Sequence, residues 1–220
     1  MKRSNKFFFI RSNKTKFGGA EVYLSRLSDA LNKKNIQHEV VNSIFPKFLP
    51  SWLRAILFNL QVCLNKRNKF YFSLDRITCP DIYRAGDGVH KVFLTIEDKS
   101  KINPLHPIYL FLEKRCFNNA KKIIAISNMV KKDIVGSYKV DEKKISVVYN
   151  GIPLKDYNYN SSFDRISSEF YLKPNQHILL YVGSGFKRKG VEEFLQIISR
   201  LESDNILAFV IGKDKNIDHY

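Results

Sequence analysis

The stretch Leu179–Leu195, LLYVGSGFKRKGVEEFL, gathers residues that could do chemistry together. Gly183 and Gly185 flank Ser184 and let the backbone turn sharply without Cβ clashes, and three cations, Lys187, Arg188 and Lys189, follow at once. Ahead of the turn, Leu179–Val182 is a short apolar run suited to a buried parallel strand. Behind it, Val191, Phe194, Leu195, Ile198 and Leu201 recur at helical spacing. A strand, a glycine turn and a helix aim free backbone N–H groups and a helix's positive end at one spot, so a phosphate is the natural occupant. A solvated basic loop is the other reading of the same residues. The pattern is neither a P-loop, since no Gly-Lys-Ser/Thr follows, nor GxGxxG, since Gly183, Gly185 and Gly190 have the wrong last interval.

Two further glycine turns carry candidates. Gly18-Gly19 ends a polar loop after the apolar Lys6–Arg11 run and opens directly into Ala20, Tyr23, Leu24, Leu27, Ala30 and Leu31 at helical spacing. It is a second helix start behind a glycine turn, or an ordinary tight connection. Gly86-Asp87-Gly88-Val89-His90 follows a strand-like segment, Asp81–Ala85. Asp87 and His90 would then stand at the end of a parallel strand, where α/β sheets bind ligands, although turn chemistry alone also explains an Asp in a glycine loop.

These turns must be held by a βα-alternating chain. Strands are expected at Lys6–Arg11, His38–Asn42, Phe70–Leu74, Asp81–Ala85, Ile123–Ile126, Ile145–Tyr149, Leu179–Val182 and Ile206–Ile211, with helices between, one of them capped by Ser127. The segment 44–69 mixes Phe45, Phe48, Leu49 and Trp52 with Lys47 and Arg54; it suits either an interfacial amphipathic helix or packing on the sheet. The polar run Asp156–Ser168 reads as a linker. The division is therefore a Rossmann-like domain over residues 1–160 and, over 161–220, the incomplete start of a second.

Hydrophobic content of 44% and aromatic content of 13% supply a packed core. Cys63, Cys79 and Cys116 are widely spaced, odd in number and without metal-binding spacing, so they read as reduced cysteines of a cytosolic protein. No apolar run has membrane length, and MKRSNKFFFIRSNK is too short in its apolar part for a signal peptide. The net charge of +16, from 37 Lys+Arg against 21 Asp+Glu, draws the chain to polyanions. The basic residues are scattered and lack interleaved stacking aromatics, so nucleic acid is not expected as a partner.

Taken together the motifs resemble the GT-B glycosyltransferases of family 4. Phe17–Leu31 (FGGAEVYLSRLSDAL) is similar to that family's first glycine loop and helix, Ile123–Ile152 to its approach to the domain junction, and VGSGFKRKGVEEFL to its donor-phosphate loop. With DIYRAGDGVHK, Asp81–Lys91, the likeness is greatest to lipopolysaccharide core glucosyltransferases. The resemblance implies an α/β fold of two doubly wound domains facing each other. It further implies retaining transfer of a sugar from a nucleotide-sugar, UDP-linked, to a lipopolysaccharide or other lipid-linked or polysaccharide acceptor, without a metal cofactor. Gly18, Gly19, Arg188 and Lys189 would serve the donor diphosphate, and Asp87 and His90 the acceptor side. Ser184 stands where many members have Arg, and the later paired-Glu motif has no counterpart before Tyr220. A separate chain supplying the missing C-terminal half, or a non-catalytic membrane- or partner-binding remnant, follow as alternatives. The basic charge agrees with peripheral attachment to an anionic membrane at the cytoplasmic face.

Overall fold

The computed structural model describes residues 6–15, 18–96, 103–152, 154, 158–173, 175–201 and 205–220, without the Arg188 side chain. The chain divides after Ile152 into two compact units.

The first unit is a six-stranded parallel sheet in the order β2-β1-β3-β4-β5-β6. Its strands are β1 (Phe7–Ile10), β2 (His38–Val41), β3 (Phe70–Ser73), β4 (Ile82–Ala85), β5 (Lys122–Ala125) and β6 (Ile145–Val147). β1 pairs with β2 on one side and β3 on the other. A strand covered on both faces needs a continuous apolar run, and Phe8, Phe9 and Ile10 are all buried. In register with β3 they form an aromatic ladder: Phe7 on Phe70, Phe8 on Tyr71 and Phe9 on Phe72, edge to face at 5.6, 6.3 and 5.3 Å. Such cross-strand pairs fix the register.

Alternation along β1 divides the core. Phe8 and Ile10 pack with Phe58 and Val62 of α2 (Ser51–Leu64), whereas Phe9 packs with Leu24 of α1 (Gly19–Lys33). Helices therefore cover both faces, which is double winding. The remaining helices here are α3 (His90–Ile96), α4 (Leu105–Asn119) and α5 (Asn128–Tyr138). The hydroxyl of Ser127 caps α5 by accepting from the Val130 N–H at 3.2 Å. Segment 44–69 packs on the sheet through Phe58 and Val62, while Ile44, Phe48, Leu60 and Leu64 are exposed.

The second unit holds α6 (Tyr159–Phe170), a pair of parallel strands, β7 (His177–Val182) and β8 (Ile206–Ile211), and between them α7 (Phe186–Lys189) and α8 (Val191–Arg200). Its core is thin. Phe186 and Val191 are buried, but Leu180, Val182 and Ile211 are 57–67% exposed on the strands. Among the described residues no helix is long and apolar enough to cross a membrane.

Three expectations are corrected. The polar run read as a linker contains α6, whose N-terminus is capped by the Asn158 side chain accepting from Ser161 N–H; Phe163, Ile166 and Phe170 supply a helical stripe that the many Ser and Asn residues mask. The cysteines are not all reduced: Cys63, at the end of α2, is bonded to Cys79, after β3, with Cα atoms 5.8 Å apart. Linear spacing hid this pair, because only the packing of α2 beside the β3–β4 connection brings the two together. Cys116 alone is free and buried. Finally, α8 does not open directly from the Gly183–Gly185 turn, because the single turn α7 stands between.

Candidate functional site

In the first unit the strand order reverses between β1 and β3, and ligands of such sheets bind outside the carboxyl ends of the strands at that reversal. A cavity of about 360 Å³ lies there. It is lined by the residues that leave the strands: Arg11 and Ser12 after β1, Ser43 after β2, Asp75 and Arg76 after β3, and Asp87 after β4. Arg54 of α2 and Tyr109 of α4 complete the wall.

Most of its charge is internally paired. Arg11 donates to Glu21 Oε1 at 2.8 Å and to Asp75 Oδ1 at 2.7 Å, and Asp75 also accepts from the Ser12 N–H. Burial works against the Arg11 charge, but Asp75 and Glu21 outweigh it and raise its pKa. Arg76 donates to Glu113 Oε1 at 2.8 Å and to the Gly88 carbonyl at 3.2 Å. Glu113, fully buried on α4, is the hub of this half. It also accepts from the His90 N–H at 2.7 Å, the Lys91 N–H at 3.3 Å and the Tyr138 hydroxyl at 2.6 Å. Burial opposes the Arg76 charge too, yet the Glu113 carboxylate against it keeps the guanidinium protonated and raises its pKa. One carboxylate thus ties α4 to the start of α3, to α5 and to the turn that presents Asp87.

The same turn is fixed on its other side by Arg84. Its Nη2 donates to Asn150 Oδ1 at 2.7 Å and its guanidinium stacks 3.7 Å over Tyr23. A Cβ at Gly86 would run into that guanidinium and displace it from Tyr23 and Asn150. Among the described residues, Arg54 and Asp87 are the lining charges for which the structure shows no ion pair. The Arg54 Nε, shut off from solvent, has no hydrogen-bond partner.

Of the residues singled out from the sequence, Asp87 alone lines this cavity. His90 is buried nearby: it stacks on Phe93, meets Tyr109 edge to face at 5.2 Å and brings Nε2 within 3.2 Å of His106 Nδ1. Burial and Arg76 lower its pKa, so the neutral ring is favoured. Gly18 and Gly19 line a second cavity, of about 450 Å³, with Tyr23, Arg26, Asn150 and Gly151. Gly18 has φ +133° and ψ 153°, and a Cβ there would strike the Glu21 carboxylate.

In the second unit the glycine turn keeps its amides occupied. Gly183 N–H donates to Ile211 O at 2.9 Å, Gly185 N–H to Lys213 O at 3.0 Å and Phe186 N–H to the Asp214 carboxylate at 2.6 Å. Lys189 is exposed, and its carbonyl accepts from Tyr181 at 2.9 Å; the Arg188 side chain lies outside the described residues.

Arg11, Glu21, Asp75, Arg76, Glu113 and Arg54 escaped the sequence reading. The paired ones join residues ten to 64 positions apart along the chain, and what signal there was lay in position: Arg11 directly follows β1, and Asp75 and Arg76 follow closely on β3.

Comparison with known proteins follows this geometry. Residues 88–156 match Glycosyltransferase Family 4. The lipopolysaccharide glucosyltransferase WaaG of Escherichia coli (strain K12) is 29% identical over 117 residues, which is 49% of this chain and 31% of that protein. The crystal structure of WaaG, a glycosyltransferase involved in lipopolysaccharide biosynthesis, superposes with a TM-score of 0.78 at 18% identity, over 97% of this chain and 65% of that one. Anabaena Alr3699/HepE in complex with UDP and glucose gives 0.61 at 14% identity, over 94% and 60%. This chain therefore spans about a third of its curated relative and less than two thirds of these solved structures. The structural likenesses show the fold, GT-B, and the resemblance to family 4 that the motifs carry is met.

Proposed function

We propose that this GT-B chain of the family 4 type serves in the transfer of a sugar from a nucleotide-sugar, UDP-linked, to a lipopolysaccharide or related envelope glycan, with retention of configuration. The observation that carries the reading is the polar cavity at the strand reversal of the first unit, to whose wall the family-matched residues 88–156 contribute Leu105, Tyr109 and Leu112. Its free carboxylate, Asp87, is suited to hold and orient an acceptor hydroxyl. His90 does not reach that wall; it acts as a positioning residue through Tyr109, which does.

Gly18 and Gly19 line the second cavity, where the lack of side chains admits the close approach of a diphosphate. In the second unit Lys187 and Lys189, with Arg188, supply cations beside a glycine turn. Negative charge on a leaving diphosphate grows as the glycosidic bond breaks, so cations and N–H donors placed there assist the transition state more than the ground state. The donor set needs no metal. The +16 net charge supports reversible attachment to an anionic membrane, each Lys or Arg near the surface adding about 1 kcal/mol.

The test is incorporation of label from UDP-[14C]glucose into lipopolysaccharide acceptor. Asp87→Asn should lower the rate on the order of 100-fold with the fold intact. No label in any glycan from the folded chain would refute the reading.

A further inference from the structure

The cavity at the strand reversal contains a charge that the protein leaves unanswered. Its other arginines are satisfied at short range, Arg11 by Glu21 and Asp75 and Arg76 by Glu113. Arg54 is not. Its Nε is cut off from water and meets no acceptor among the described residues, and a buried donor without a partner is an uncompensated desolvation cost. The end of α2 that carries Arg54 is itself open. Pro50 stands at the N-cap and offers no side-chain acceptor, so the first N–H groups of α2 lack a cap. Ser51, in that first turn, lines the cavity with Arg54, and so does Ser43, whose oxygen accepts from Phe45 N–H while its own O–H remains to donate. An unpaired guanidinium, an uncapped helix start and two hydroxyls are what an oxyanion completes. On the other side, Asp87 and Asp75 disfavour an anion close to them and favour hydroxyls.

We infer that this cavity takes a sugar bearing an oxyanion, phosphate or carboxylate, with the anion held by Arg54 and the start of α2 and the sugar hydroxyls turned toward Asp87. Arg54 is thereby a specificity residue: it selects charged over neutral acceptors. That the ligand is an acceptor rests on the transferase reading above; that the cavity binds an anionic sugar does not. A volume of about 360 Å³ accommodates a monosaccharide with one such group.

The test is direct binding to the full chain, followed by calorimetry and by the Arg54 Nε–H resonance, with glucose 6-phosphate, glucuronic acid and glucose as probes. The anionic sugars should bind roughly tenfold to a hundredfold tighter than glucose, the yield of one charge-assisted contact, and should shift the Arg54 Nε–H signal. Arg54→Gln should abolish the preference, and Arg54→Lys should retain part of it, with thermal unfolding of both variants at or above that of the parent. Response to only one anionic sugar identifies phosphate or carboxylate as the group recognised. Equal binding of all three, no binding of either anion at millimolar concentration, or a preference that survives Arg54→Gln overturns the inference. Arg54-dependent anion binding without any sugar transfer leaves the inference standing and removes the transferase reading instead.

Discussion

Replacing Glu113 by Ala tests the argument that a single buried carboxylate organises the site. Glu113 is fully buried and accepts four hydrogen bonds from three elements: Arg76 Nε at 2.8 Å, His90 N–H at 2.7 Å, Tyr138 hydroxyl at 2.6 Å and Lys91 N–H at 3.3 Å. The Arg76 side chain is only 10% exposed, so removing its partner strands a cation in the interior. Breaking one half of a buried pair costs about 3–5 kcal/mol, and at about 2–4 °C per kcal/mol for a unit of this size the melting point should fall by about 6–20 °C. Glu113→Gln is the sharper variant, because all four partners are donors and an amide offers one oxygen and one NH₂. It should lose much of the same stability at nearly unchanged volume. Urea unfolding followed by circular dichroism gives the midpoint at constant slope. If Glu113→Ala lowers stability by less than about 1 kcal/mol, the hub is decorative and the turn bearing Asp87 is held by something else.

Two further outcomes follow from the same geometry. Gly18→Ala places a Cβ at φ +133°, a region open essentially to glycine, and against the Glu21 carboxylate that pairs with Arg11; it should cost about 1–3 kcal/mol in urea unfolding, and a cost near zero would contradict the backbone assigned there. Asp81 is buried and accepts from Tyr71 N–H at 2.9 Å and from Lys66 and Lys121 at 3.1 and 2.8 Å; burial raises its pKa, but these donors outweigh burial and leave it lowered. A lowered folded pKa gives stability that is complete above the unfolded value, about 3.9, and is lost as pH falls through the folded one. Asp81→Asn should therefore flatten the acid limb of the stability profile below about pH 4, and an unchanged limb would show that Asp81 is not linked to folding.

How much of this was legible depended on whether the signal was local. The strands around β1 announced themselves as runs such as FFFI, and Ser127 as a cap, because burial on both faces and capping act within a few residues. The helix α6 was obscured by its own composition: Ser and Asn suggest a linker, and only Phe163, Ile166 and Phe170, read at helical spacing, point the other way. The Cys63–Cys79 bond and the Arg11–Asp75 pair join residues that chain connectivity separates by 16 and 64 positions, so no periodicity could reveal them.

The glycine turns show why motif chemistry needs its surroundings. Gly183-Ser184-Gly185 and Gly18-Gly19 have the same sequence logic, a flexible turn ahead of a helix. Yet the first spends its amides on Ile211, Lys213 and Asp214 of its own unit, with a carboxylate already at the start of α7, while the second lines an open cavity. Asp214 at the start of α7 is an anion standing where a phosphate would compete for the Phe186 N–H. A donor phosphate approaching this turn must therefore rely on the Lys187–Lys189 cations rather than on these amides, and its hold would weaken steeply with added salt, as exposed charge contacts do. Arg54, half-buried in the wall of its cavity, would be screened less under the same conditions. The two proposed anion contacts, one exposed in the second unit and one more sheltered in the first, would thus be separable by ionic strength.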